Sequence, residues 1–148
     1  MITDYQNTYD NQRAITSTCQ SAGYLDKPSG SLGFGPGGRR NFLVVQCVQT
    51  FNNTTNIGFE WQTSANSSFN DSLPDIDSRT ILVSNLVAGG SSGLNYLYAV
   101  AAPDSGINQW TRMQYTVNGS SAPTSGSITA FITDQTDGYN AVSLSSAY

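Results

Sequence analysis

Histidine is absent from this 148-residue chain, and lysine and glutamate occur once each, as Lys27 and Glu60. Without imidazole, the commonest general base and a frequent metal ligand are missing. No Ser–His or Cys–His nucleophile pair can be built. A Ser–Lys pair would rest on Lys27 alone, which stands before Pro28 in a glycine-rich stretch. Charge of either sign is scarce: 11% of residues are charged, against roughly 25% in an average domain. Ten acidic and six basic side chains leave a net charge of −4, which argues against a general affinity for nucleic acid or an anionic membrane surface. No apolar run approaches the ~20 residues of a membrane span. The opening Met1-Ile2-Thr3-Asp4-Tyr5-Gln6 has neither the basic nor the apolar region of a secretory leader. There are two cysteines, Cys19 and Cys47. Both fall in predicted strands, so a bridge is geometrically open, while free buried thiols are the expectation for a reducing cytoplasm.

The space left by charge is filled with Ser, Thr, Asn, Gln and Gly, while 38% of residues are hydrophobic, including eight Tyr, six Phe and two Trp. That is enough apolar surface for one folded domain. A surface of amides, hydroxyls and tyrosines suits burial against other proteins, because desolvating them costs far less than desolvating ions. The dominant pattern is alternation with a period of two, the mark of half-buried strands. It predicts strands over residues 14–19, 42–51, 57–62, 79–87, 96–101, 110–117 and 127–133. In 42–51, Leu43, Val45, Cys47 and Phe51 share one face and Val44, Gln46, Val48 and Thr50 the other, so the inward side stays open. Elsewhere the expected core is Phe59, Trp61, Met113, Tyr115 and Ile128, with Val45 added from the third strand region. Residues 1–11 read as an extended arm, 30–38 as a loop too rich in Gly and Pro for helix or ladder, and 136–148 as a tail. Residues 12–135 then form an all-β domain of seven or eight antiparallel strands, a sandwich or barrel. A jelly roll and an immunoglobulin-like sandwich both fit the count, but the Cys…Trp…Cys framework of the second is missing.

Few motifs point to chemistry. Gly33-Phe34-Gly35-Pro36-Gly37-Gly38 matches G-x-G-x-x-G in form, yet a strand follows where a dinucleotide site needs a helix N-terminus. Asp71, Asp75 and Asp77 cluster in one predicted loop and Asp134 and Asp137 in another, but the glycine and distal glutamate of an EF-hand are lacking. They read as solvated loop aspartates. No catalytic, cofactor or metal residue is therefore assigned. The candidate partner contacts are aromatic or basic: Tyr5, Tyr9, Arg39, Arg40, Tyr96, Tyr98, Trp110, Tyr139 and Tyr148. Aromatic residues are enriched at interfaces, and Arg39-Arg40 is the only adjacent basic pair. Trp61, beside Phe59 on its face, reads as core, and Trp110 is open to either role.

Eight segments, in order, resemble the small capsid cement, or decoration, proteins of short-tailed bacteriophages. They are Met1-Ile2 with Asp4, Ala14-Ile15-Thr16, Leu25-Asp26, and Leu43-Val44-Val45-Gln46 with Val48. They continue with Gln62-Thr63-Ser64 leading to Phe69, Leu86-Val87-Ala88-Gly89, Arg112-Met113-Gln114-Tyr115-Thr116-Val117 and Gly126-Ser127-Ile128-Thr129-Ala130. The glycine-rich 30–38 and the tail 136–148 depart from the family pattern. The resemblance implies an antiparallel two-sheet jelly-roll β-sandwich of about eight strands without catalysis or cofactor. It also implies synthesis in the bacterial host cytoplasm and a place on the outer capsid surface of the virion. There a homodimer or homotrimer would bridge subunits of the major capsid protein. The main rival is a carbohydrate-binding β-sandwich module, which needs a row of coplanar exposed aromatics. A small hydrolase ranks behind both.

Overall fold

The computed structural model describes residues 7–27, 40–71, 74–89 and 97–134. Eight strands run β1 (Thr8–Ala14), β2 (Cys19–Asp26), β3 (Phe42–Gln49), β4 (Asn56–Ser64), β5 (Asp75–Leu82), β6 (Tyr98–Ala101), β7 (Trp110–Asn118) and β8 (Ser127–Thr133). All pairings are antiparallel. One sheet has the order β1-β8-β3-β6 and the other β2-β7-β4-β5. Successive strands alternate between sheets in the first half of the chain and return in reverse, so the fold is the expected jelly-roll sandwich of eight strands.

The core lies between the sheets. From the first come Leu43, Val45, Cys47, Tyr98, Ile128, Ala130 and Ile132, and from the second Ile57, Phe59, Trp61, Met113 and Tyr115. All six residues expected in the core are in it. The open question in β3 resolves to Leu43, Val45 and Cys47 inward, while Val44 clusters with Ala99 and Phe131 on the opposite face. Phe59 sits edge-on to both Tyr98 and Tyr115, at ring-centroid distances of 6.0 and 5.8 Å, a preferred aromatic geometry. Both cysteines are free. Burial raises the Cys47 thiol to about 11, against a hydrogen bond to the Gln49 carbonyl that lowers it.

Three expectations are corrected. Residues 8–11 are not arm but part of β1, and the strand expected at 14–19 is instead the corner between β1 and β2, residues 15–18, flanked by the last residue of one and the first of the other. β1 escapes the alternation rule because its register shifts twice, between Thr8 and Asp10 and between Asp10 and Arg13, and Gln12 takes a positive φ of 52°. The shifts turn the consecutive Tyr9 and Asp10 both inward, at 1% and 3% exposure. The strand expected at 79–87 begins earlier and ends sooner, as β5, followed by a 3-10 turn at Val83–Asn85. Asp75 and Asp77 thus sit in a ladder beside β4, with Asp77 paired to Arg79 at 2.9 Å. The loop 30–38 and the tail 136–148 lie outside the described residues.

Gly126, entering β8, has a φ of +130°, and a Cβ there would run into the Phe51 ring. Gly126→Ala is expected to cost roughly 2–4 kcal/mol, from backbone strain and overpacking together, read as a lower urea midpoint. Burial also holds the phenols of Tyr9, Tyr98 and Tyr115 well above their ordinary value of 10.0. The charge of Asp77 adds to this at Tyr98, and that of Asp10 at Tyr115. A phenol raised in the folded state contributes stability that is whole below its unfolded value and is lost as pH rises through the folded one. Stability should begin to fall above about pH 9, where the raised thiols of Cys47 and Cys19 come into play, and above about pH 10 should fall by a further ~1.4 kcal/mol per pH unit for each tyrosine. Urea midpoints at stepped alkaline pH measure this. Three buried phenols titrating normally in the folded protein would contradict it.

Candidate binding site

The second sheet turns a polar and aromatic face outward. Alternation in β7 sends Thr111, Met113 and Tyr115 inward and Trp110, Arg112, Gln114 and Thr116 outward. β4 contributes Glu60 and Gln62 beside them, and β2 places Tyr24 opposite Arg112 and Gln20 opposite Gln114. Tyr24 is the most exposed aromatic ring on this face, at 53%. It meets Trp110 edge-on, with centroids 5.3 Å apart and planes at 74°.

The segment after β4 folds back over this face. Its hinge is a set of short side-chain hydrogen bonds. Asp71 accepts from Ser64 Oγ at 2.5 Å and from the Ala65 amide at 2.9 Å. Asn66 Oδ1 accepts from the Ser68 amide and hydroxyl. Such local turns let polar residues satisfy the backbone outside any ladder. They deliver Phe69, at a positive φ of 50°, onto the sheet, where it is 8% exposed. The Arg112 guanidinium stacks over its ring at 4.4 Å, and Tyr24 stands 6.3 Å away. Arg112 Nε donates to Gln62 Oε1 at 3.1 Å. Desolvation lowers the Arg112 pKa. A groove of about 220 Å³ opens here, lined by Gln20, Ser21, Gly23, Tyr24, Ser67, Ser68, Phe69 and Arg112.

Of the expected contact residues that are described, two are in the core and two are not. Tyr9 and Tyr98 are each 1% exposed, which corrects their assignment as partner contacts. The Tyr9 hydroxyl accepts from Trp61 Nε1 at 2.8 Å and shares a hydrogen bond with Thr111 Oγ1 at 2.7 Å, deep in the core. Tyr98 lies against Phe59, with Arg79 over its ring at 5.0 Å. Arg40 is exposed near Asp104, 3.8 Å away. Trp110 is half-buried on the outward face. Tyr5, Arg39, Tyr96, Tyr139 and Tyr148 lie outside the described residues. Tyr24, Phe69 and Arg112 are the residues that the aromatic and charge counts missed. The outward register of Arg112 and the aromatic ring set in a polar loop at Phe69 were the signals for two of them. Tyr24 had none, because β2 was not predicted.

Among the described residues, no group of three or more His, Cys, Asp or Glu stands close enough to hold a metal. No described helix is long and apolar enough to cross a membrane. The aromatics of the outward face are tilted or perpendicular, at 55° and 74°, and not coplanar. That arrangement lacks the flat platform a sugar-binding row requires.

The Asp71 clasp has a pH dependence. Its hydrogen bonds, from Ser64 first and then Ala65, hold the carboxyl below its ordinary 3.8. A carboxyl lowered in the folded state stabilises above its unfolded value and loses that contribution as pH falls through the folded one. Hydrogen exchange at Ala65 and Ser68 should therefore quicken as pH drops below the ordinary carboxylate range, after correction for the intrinsic rate. Asp71→Asn should show the faster exchange already at neutral pH.

No protein-family model matches the chain, and no curated protein sequence matches it at a significant level.

Proposed function

We propose that this chain is a structural protein of a tailed-phage head, a decoration protein that binds the outside of the shell and bridges neighbouring subunits of the major capsid protein. The observation that carries the reading is where three chain segments join the sandwich. Lys27 Nζ donates to Asn7 Oδ1 at 3.2 Å. Thr8 is in register with Phe131, and Phe42 with Thr133. Arg40 reaches Asp104, in the connection from β6 to β7. Asn7, Lys27, Arg40 and Asp134 therefore stand at one end of the molecule, and residues 1–6, 28–39 and 135–148 all join the fold there. These stretches carry three charged side chains between them, Asp4, Arg39 and Asp137. Trp110, in register with Asp26, lies at the same end. A rigid sandwich with its low-charge segments attached at one end is suited to standing on a scaffold.

The ordered resemblance of eight segments supports the same role. The mechanism is multivalency. Each contact is modest, but a homodimer or homotrimer touching several capsid subunits gains effective concentration and dissociates slowly. With little charge at hand, contacts rest on uncharged hydrogen bonds and apolar burial, which salt screens weakly.

Electron microscopy of expanded heads assembled with and without the chain should show added density outside the shell, straddling subunit boundaries. The protein should stay bound from low to molar salt, and deletion of residues 30–38 should lower its occupancy. Complete release at moderate salt would instead make Arg40 and the aspartates the main contacts. Absence of binding to any shell, with saturable binding to a polysaccharide, would overturn the reading.

A further inference from the structure

Arg112 is the anomaly of the outward face. It is 8% exposed, and a buried charge is normally paired. Its Nε is committed to the neutral Gln62 amide oxygen. Among the described residues no other acceptor meets the guanidinium, and the ion pairs formed are Arg13–Asp10, Arg40–Asp104 and Arg79–Asp77. One face of the cation is covered by Phe69. The two terminal nitrogens carry donors that nothing described accepts, and the side chain lines a groove large enough for a small group. A buried polar group left unsatisfied calls for an explanation, and a cation stacked on an aromatic ring beside an open groove suggests one.

We propose that this groove binds a carboxylate, held end-on by the terminal nitrogens of Arg112. The planar fork of a guanidinium matches two carboxylate oxygens in a bidentate pair. Charge selects a carboxylate over a phosphate. Among the described residues Arg112 is the only cation lining the groove, so one negative charge is balanced and a second would be desolvated without compensation. The Ser67 hydroxyl and the Gln20 amide also line the groove and offer further donors to the same oxygens, whereas the Ser68 hydroxyl is already donated to Asn66 Oδ1. Tyr24 and Phe69 would flank the carbon attached to the carboxylate. The Ser21 hydroxyl has no proton left to give, donating to the Gly23 carbonyl at 2.6 Å and accepting from the Met113 amide at 3.0 Å, so Arg112 carries the recognition. The source of the carboxylate is either a free organic acid or an Asp or Glu side chain of a protein packed on this face. The site belongs to the isolated chain and stands or falls apart from the capsid reading.

The test is a titration of the isolated protein with sodium acetate, against sodium chloride at equal ionic strength, followed by amide and Arg Nε–H resonances. Acetate should give saturable millimolar shifts confined to residues 20–24, 67–69 and Arg112, and phosphate should bind more weakly. Arg112→Lys keeps the charge without the fork and should weaken acetate by about tenfold or more. Arg112→Met should abolish the shifts while keeping or raising the urea midpoint, since an apolar isostere relieves a buried unpaired charge. A structural cation would behave in the opposite way, with lost stability and no acetate response. N-acetyl-glutamic acid amide separates the two sources. Tighter binding than acetate assigns a protein side chain, and equal binding assigns a free acid. Shifts that do not saturate, or that persist unchanged in Arg112→Lys and Arg112→Met, would overturn the site.

Discussion

The sandwich depends on one pair of consecutive residues at the start of β1. Tyr9 and Asp10 belong to one sheet, yet their side chains bond to the other. Tyr9 meets Trp61 and Thr111. Asp10 accepts from the Tyr115 hydroxyl at 2.6 Å and from the Ala22 amide at 2.9 Å, with Arg13 3.3 Å away. These are polar bonds inside an apolar core, where each is stronger than in water and each unmade one is costly, about 1–3 kcal/mol. Hydrophobic burial draws the sheets together without specifying how they slide. Four directed bonds from two adjacent residues set their relative position. The register shifts of β1 are what allow neighbouring side chains to face the same way, so the irregularity belongs to the join.

Apart from β3, whose apolar residues lie on both faces, the strands that could be read in the sequence are those whose two faces differ. β7 and β8 match their expected spans closely, because Met113 and Tyr115 in one and Ile128, Ala130 and Ile132 in the other recur at every second position. β4 was legible for the same reason. β1 was not, since Asp10, Asn11, Gln12 and Arg13 look like a solvated arm until the partners of Asp10 are known. β2 was hidden behind Gly23, whose missing Cβ lets the β1 backbone approach, the Thr8 carbonyl oxygen lying only 3.0 Å from where that atom would be. A glycine in a strand weakens the pattern while serving the packing. Asp75 and Asp77 were read as loop because carboxylates are rare in ladders, but Arg79 neutralises one of them in place.

The binding face was less legible than the fold. Counting aromatics as contacts chose Tyr9 and Tyr98, which are core residues; the polar tip of Tyr9 found partners inside. Spacing cannot separate a buried tyrosine from an exposed one when either face of a strand carries apolar residues. Arg112 was visible only as the polar half of an alternation. Its burial comes from Phe69, 43 positions earlier in the chain by number, folded over by turns that depend on Ser64, Asn66 and Asp71. Such a meeting is tertiary and has no local signature.

The pairing of β1 with β8 has a consequence for how the chain acquires its shape. Several of the bonds that hold β1 in place join residues more than a hundred positions apart, as in Tyr9 with Thr111, Asp10 with Tyr115 and Gln12 with Thr129. Contacts so distant require large loops to close before any reward is gained, which slows folding. During synthesis the first strand has no ladder partner until Ser127–Thr133 has left the ribosome. Until then the inward faces of β3, β4 and β7 lack their full cover, and a growing chain stalled before Ser127 is an open sandwich. Scarce charge gives such an intermediate little electrostatic repulsion from its neighbours. The nascent chain is therefore most open to association with other copies in the interval before β8 is made.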